Sequence, residues 1–185
     1  MKMLKWAVRK ILKAAHLLYQ EGLVDARAGN ISFRIDDKII ITRTGSHLGE
    51  LTEEDLILLP LLGTTPLLER ASSEMPVHRE VYLRTSHRAV VHAHPPATVS
   101  LSLREEKIIP VDSEGKILLK EVCVVEDLPS GSEALAEAVA NLLQDNSLVV
   151  VRGHGVFAAD RDPMKAYGWI SVLERSCRIL QETLP

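Results

Sequence analysis

AVVHAHPP, residues 89–96, is an apolar run with two histidines that two prolines close. Pro95 biases His94 toward extended backbone, so the stretch reads as a strand that stops at the prolines. Residues two apart on a strand share a face, so His92 and His94 project together while Ala93 points away. Two imidazoles on one face at a strand end suit a divalent metal, with one bond from each. Two ordinary polar residues on a strand give the same pattern, and a third ligand from elsewhere in the chain would separate the two readings.

Working outward, the chain alternates between helical and strand periodicity. Leu4, Val8, Ile11, Leu12, Ala15, Leu18 and Tyr19 form one helical stripe that ends near Gly22. NISFRIDDKIIIT, residues 30–42, reads as a hairpin turning at Asp36-Asp37. LTEEDLILLP, 51–60, opens on Thr52-x-x-Asp55 and predicts a short helix stopped by Pro60. LLGTTPLL, 61–68, reads as a loop or short strand, and Pro76 opens the next helix because proline suits a first turn. PATVSLSL, 96–103, predicts another helix. KIIPVD and LLKEVCVVE predict strands around a turn at Glu114-Gly115.

Ser130-x-x-Glu133 is a capping-box pattern for a helix with stripe Leu135, Ala138, Val139, Leu142 and Leu143. SLVVVRGHG, 147–155, reads as a buried strand running into a glycine-flanked histidine. Asp162-Pro163 caps a last helix with Ala166, Ile170, Leu173, Cys177 and Leu180 inward. No repeat, linker or low-complexity segment appears. The pattern is one α/β domain over residues 1–185, a largely antiparallel sheet sandwiched between helices.

A hydrophobic content of 46% with 25% charged residues is that of a soluble globular protein. A net charge of -3 gives no general electrostatic reason to bind nucleic acid or a bilayer. Cys123 and Cys177 are too few and too far apart for a disulfide framework or a thiolate zinc site, and read as buried thiols. The basic N-terminal stretch has no uncharged run of signal-peptide or membrane-span length, so a cytoplasmic protein is expected.

His154 is the candidate third ligand. It ends an apolar strand, as His94 does, and Gly153 and Gly155 clear space around it. If the two strands lie side by side, three histidines converge at one edge, and a catalytic zinc takes three protein ligands and an open position. His16 and His87 read as surface or helix-end residues, and His78 as an exposed residue early in its helix. His47 lies in the glycine-bounded loop TGSHLGE, within possible reach of substrate.

Glu74, in ASSEMP just before the Pro76 helix, is a candidate metal ligand, general base or dipole partner. Ser72 and Ser73 stand where free helix amides attract anions, or serve simply as caps. ARAGNIS supplies Arg27, Gly29 and Asn30, and TRTGS supplies Thr44 and Gly45, in stretches that read equally as ordinary turns.

AGNIS, TRTGS, SSE, HAH and GHG, in that order and spacing, resemble the class II aldolase/adducin family, and within it most closely the L-fuculose-1-phosphate aldolases. The resemblance runs from about Tyr19 to the last helix. It implies one Zn²⁺ per subunit, or another divalent metal, on His92, His94 and His154, with Glu74 as catalytic acid/base that also reaches the metal when substrate is absent. It implies a phosphate site at Gly29, Asn30, Thr44, Gly45, Ser72 and Ser73, and a homotetramer with sites at subunit interfaces. The implied reaction cleaves a ketose 1-phosphate such as L-fuculose 1-phosphate to dihydroxyacetone phosphate and lactaldehyde through a zinc-stabilised enediolate.

Two tyrosines of that family, one in the loop here reading VVEDLPSG and one in a C-terminal tail, have no counterpart before Pro185. The aldehyde-side proton donor therefore has no assigned residue. Three alternatives share the scaffold. A sugar-phosphate epimerase typically carries aspartate at the Glu74 position. A methylthioribulose-1-phosphate dehydratase keeps glutamate there. A non-catalytic adducin-like module has no need of all three histidines.

Overall fold

The computed structural model describes residues 2–183. The expectation about a tyrosine-bearing tail concerns chain outside those residues. Six helices are α1 (Lys2–Gln20), α2 (Met75–Arg84), α3 (Pro96–Ser102), α4 (Ser113–Leu118), α5 (Glu133–Leu142) and α6 (Pro163–Thr183). Eight strands are β1 (Asn30–Ile35), β2 (Lys38–Thr42), β3 (Leu56–Pro60), β4 (Ala89–Ala93), β5 (Lys107–Ile108), β6 (Val122–Val125), β7 (Leu148–Val151) and β8 (Gly155–Asp160). They form one sheet in the order β3-β2-β1-β4-β8-β7-β6-β5, antiparallel throughout except for the β6–β7 pair. This is the expected α/β sandwich.

The strand period of two sends alternate residues to two cores. On one face Ile31, Phe33, Val91 and Val156 pack against α1, α3 and α6. On the other, Ile41, Val90, Val149 and Phe157 pack against α2 and α5. AVVHA forms β4 at the middle of the sheet, with all five residues buried. Both of its faces are covered, which explains a nearly continuous apolar run instead of a polar alternation.

Several local expectations change. The capping pattern at Thr52 closes only a single 3-10 turn, with Asp55 accepting from the Thr52 backbone and hydroxyl. LILLP then becomes β3, because the free edge of β2 offers it five pairing partners. The turn expected at Glu114-Gly115 is the short helix α4, started by the Asp112 side chain accepting from the Gly115 amide. Helix α5 is capped by Ser132, whose hydroxyl accepts from the Leu135 amide, not by Ser130. The inward stripe of α1 is Ala7, Ile11, Ala14, Ala15 and Leu18, rotated so that Leu4 and Tyr19 are exposed. Cys177 is buried as expected, while Cys123 is half-buried.

The turn His94-Pro95-Pro96 runs into α3, and α3 is anchored by a buried acid. Glu174 of α6 accepts from the Ala97 amide at 3.1 Å, the Thr98 amide at 2.9 Å and the Thr98 hydroxyl at 2.9 Å. Glu174→Ala leaves these donors buried without a partner. A loss of about 3 kcal/mol is expected in urea unfolding, and a loss below about 1 kcal/mol would show that α3 does not depend on the carboxylate. Among the described residues no helix is long and apolar enough to cross a membrane.

Candidate metal centre and anion pocket

Five sheet termini meet at one edge: β1 begins there, β2, β4 and β7 end there, and β8 starts back from it. His92 and His94 sit at the end of β4, with His94 just past the last paired residue. Strands β4 and β7 are not neighbours, contrary to the side-by-side placement considered from sequence, because β8 lies between them. His154 reaches the β4 histidines because it occupies the tight turn joining β7 to β8. Its ring centroid lies 4.9 Å from that of His92 and 5.0 Å from that of His94.

Gly155 makes this approach possible. A Cβ there would stand 2.5 Å from the Ala93 carbonyl oxygen, 2.8 Å from the His94 ring and 3.1 Å from the His92 ring. The turn itself is tied down by Arg152, which donates to the Ser102 carbonyl at 2.7 Å, and by the Gly153 amide, which donates to the Ser102 hydroxyl at 2.9 Å.

The donor set fits a divalent metal. One ligand atom from each of His92, His94 and His154 lies within 4.8 Å of the others. His92 Nδ1–H donates to the Val156 carbonyl at 2.9 Å, which leaves Nε2 bare. That nitrogen faces His94 Nε2 at 2.8 Å and Glu74 Oε2 at 3.1 Å, so three potential ligand atoms crowd one point. Burial, then the neighbouring His94 and His154, push His92 well below the ordinary imidazole range. Burial, then His154, lower His94 as well. Neutral imidazoles beside a carboxylate are the ligand form a metal requires. The buried face of His92 stacks on Phe157 at 4.1 Å, which fixes the ring plane.

Glu74 is 4% exposed and lies at the start of α2 with no capping bond from its side chain. Its carboxylate is held from two directions: Asn30 Nδ2 donates to Oε2 at 2.9 Å, and Ser130 Oγ donates to Oε1 at 3.0 Å. His154 Nε2 lies 3.6 Å from Oε1. Ser130 was legible only as a capping residue, because Glu133 three positions later completes that pattern. Ser132 takes the cap and frees Ser130 to point at Glu74.

Glu74 and the three histidines line a cavity of 200 Å³, together with Gly29, Asn30, Thr44, Gly45, Ser72 and Ser73. Arg27 and Ser46 line it too, and the buried Ser46 hydroxyl has no partner among the described residues. The Thr44 amide is spent on the Arg70 carbonyl and the Ser72 amide on the Thr42 carbonyl, so these two residues have only side chains to offer an anion. Ser72 Oγ in turn accepts from the Glu74 amide at 3.3 Å.

The remaining histidines diverge from the sequence reading in one case. His16 is exposed on the Gly49 carbonyl, and His87 caps the Leu143 carbonyl at 3.0 Å. His47 packs edge-on against Tyr19 at 4.8 Å and is not among the residues that line the cavity. His78, expected to be exposed, is fully buried beneath Glu74, and burial lowers it to about 3. The missed signal is the spacing Glu74, His78, Tyr82, which places all three on the face of α2 that meets the sheet.

Comparison with known proteins agrees with this geometry. The sequence profile described as class II aldolase and adducin N-terminal domain matches residues 9–181. The L-fuculose phosphate aldolase of Methanococcus vannielii is 31% identical over 173 residues, covering 93% of this chain and 94% of that protein. The methylthioribulose-1-phosphate dehydratase of Gluconobacter oxydans is 34% identical over 183 residues, covering 91% and 88%. The crystal structure of L-fuculose-1-phosphate aldolase from Thermus thermophilus superposes with a TM-score of 0.89 at 38% identity, covering 97% of each chain. The chain therefore belongs to the class II aldolase and adducin family.

Proposed function

We propose that this protein is a Zn²⁺-dependent aldolase, its 185 residues acting as one domain, that cleaves a ketose 1-phosphate such as L-fuculose 1-phosphate to dihydroxyacetone phosphate and lactaldehyde. The observation that carries the reading is one cavity with two chemically distinct ends. His92, His94, His154 and Glu74 converge at one, and hydroxyl-rich loops close the other. A bound divalent cation supplies Lewis-acid charge for the electron-rich enediolate that carbon–carbon cleavage leaves behind.

The protein's own residues do the rest. Gly29, Asn30, Thr44, Gly45, Ser72 and Ser73 hold the phosphate, with Ser46 adding a hydroxyl and Arg27 a charge, so the reacting carbon is presented in one orientation. Glu74 returns a proton to the enediolate carbon in cleavage and removes it in condensation. The buried setting keeps water from competing for that proton.

Exposed apolar residues on segment 103–118, among them Ile109 at 60% and Ile117 at 73%, support assembly into a homotetramer. Leu103, against the turn that carries His154, would bring that interface close to the site. A cytoplasmic protein without nucleic-acid or membrane partners fits the same reading.

The 34% identity to a methylthioribulose-1-phosphate dehydratase favours a second reading, in which the same metal and phosphate anchor serve water loss. The two readings differ in their products, because the dehydratase product keeps every carbon. Metal analysis of the purified protein, molar mass by light scattering and product detection from a panel of sugar phosphates test them together. Stoichiometric zinc, four chains per particle and dihydroxyacetone phosphate from a ketose 1-phosphate are expected. Zinc with no dihydroxyacetone phosphate from any ketose 1-phosphate would refute the aldolase.

A further inference from the structure

Beneath Glu74, helix α2 and strand β1 interleave five polar side chains in an otherwise apolar layer. Glu74, His78 and Tyr82 recur every four residues along one face of α2, and Asn30 and Ser32 share one face of β1. His78, Ser32 and Tyr82 are each fully buried. They connect without a gap: Asn30 Nδ2 to Glu74 Oε2 at 2.9 Å, Asn30 Oδ1 to His78 Nε2 at 2.5 Å, His78 Nδ1 to Ser32 Oγ at 2.6 Å, and Ser32 Oγ to Tyr82 OH at 2.6 Å. Nothing in the proposed reaction uses His78, Ser32 or Tyr82 directly.

The chain has only one consistent polarity. A carboxylate needs a donor, so the Asn30 amide nitrogen faces Glu74 and its carbonyl faces His78. His78 must then carry its proton on Nε2. Its bare Nδ1 accepts from the Ser32 hydroxyl, and Ser32 accepts from the Tyr82 hydroxyl. Every bond donates toward Glu74. With the other Asn30 orientation, a carbonyl oxygen would face the carboxylate.

We propose that His78 is a positioning residue that, as the Nε2–H tautomer, locks the Asn30 amide and so holds Glu74 Oε2 as a permanent acceptor. Oε1 then carries the exchanged proton, since Ser130, its other partner, has a hydroxyl that can rotate between donating and accepting. The role of Oε1 rests on the reading of Glu74 as acid/base; the tautomer and the Asn30 lock do not.

Two substitutions on the zinc-loaded protein separate positioning from packing. The amide of His78→Gln reaches the place of Nε2 and can still donate to Asn30. The shorter amide of His78→Asn reaches only the place of Nδ1 and can bond Ser32 alone. For His78→Asn, kcat for release of dihydroxyacetone phosphate should fall by about 10- to 100-fold. His78→Gln should stay within about fivefold of the parent. Equal losses in the two variants would overturn the proposal.

Long-range ¹⁵N spectra of histidine-labelled parent protein, with the His78 signal assigned by its loss in His78→Gln, read the tautomer without any turnover. A protonated Nε2 and bare Nδ1 support the lock, and the reverse overturns it. This readout stands even if the parent cleaves no ketose 1-phosphate, an outcome that would refute the proposed function alone.

Discussion

Glu74→Gln should keep its metal and its phosphate affinity while turnover falls by about 10³-fold. Glutamine is isosteric with glutamate, so the surroundings of this buried side chain need not move. Its amide oxygen still accepts from Asn30 Nδ2, and its NH₂ group can donate to the Ser130 hydroxyl in place of the acceptor now at Oε1. What is lost is the carboxylate's capacity to take up and return a proton. The variant should also lose the exchange of dihydroxyacetone phosphate protons with deuterated water, which isolates the enediolate step from the aldehyde. Turnover within tenfold of the parent would remove Glu74 from the mechanism.

His154→Ala should abolish stoichiometric metal binding, with activity falling to background. One of the three proposed nitrogen ligands disappears, and the effect should exceed the 10- to 100-fold typical of losing an outer-shell partner of a ligand. The turn that carries His154 keeps its anchors through Arg152 and Gly153 on Ser102, so the fold should survive. His16→Ala, on an exposed histidine of α1, should retain full metal. Metal content by mass spectrometry, alongside the unfolding midpoint, checks both. Retention of one metal per chain in His154→Ala would refute the ligand set.

Much of this site was legible because it depends on local periodicity. His-x-His on an apolar strand places two imidazoles on one face wherever that strand goes, and the glycines around His154 announce a close approach. The burial stripes of α5 and α6 follow from the same kind of spacing. Ser130 was misread because two overlapping serines each offer a plausible cap, and which one closes the helix depends on where the loop lands. LILLP was misread because five apolar residues after a proper cap suit a helix or a strand alike. The open edge of β2, distant in sequence, decided between them. Gly115 marks no turn: a Cβ there would stand 2.4 Å from the Ser176 hydroxyl on α6, so the residue is small for helix packing.

Residue type and short-range spacing alone yield the α/β sandwich, the paired histidines of β4 and the order of the AGNIS, TRTGS and SSE motifs. Long-range packing sets β8 between β4 and β7, brings Ser130 to Glu74, and makes His78 a buried link to Asn30 and not a solvent-facing residue. The physical reason is shared: burial and hydrogen-bond partnership are set by which surface is laid against a helix face. For α2 that surface is β1, a strand more than forty positions away in the chain.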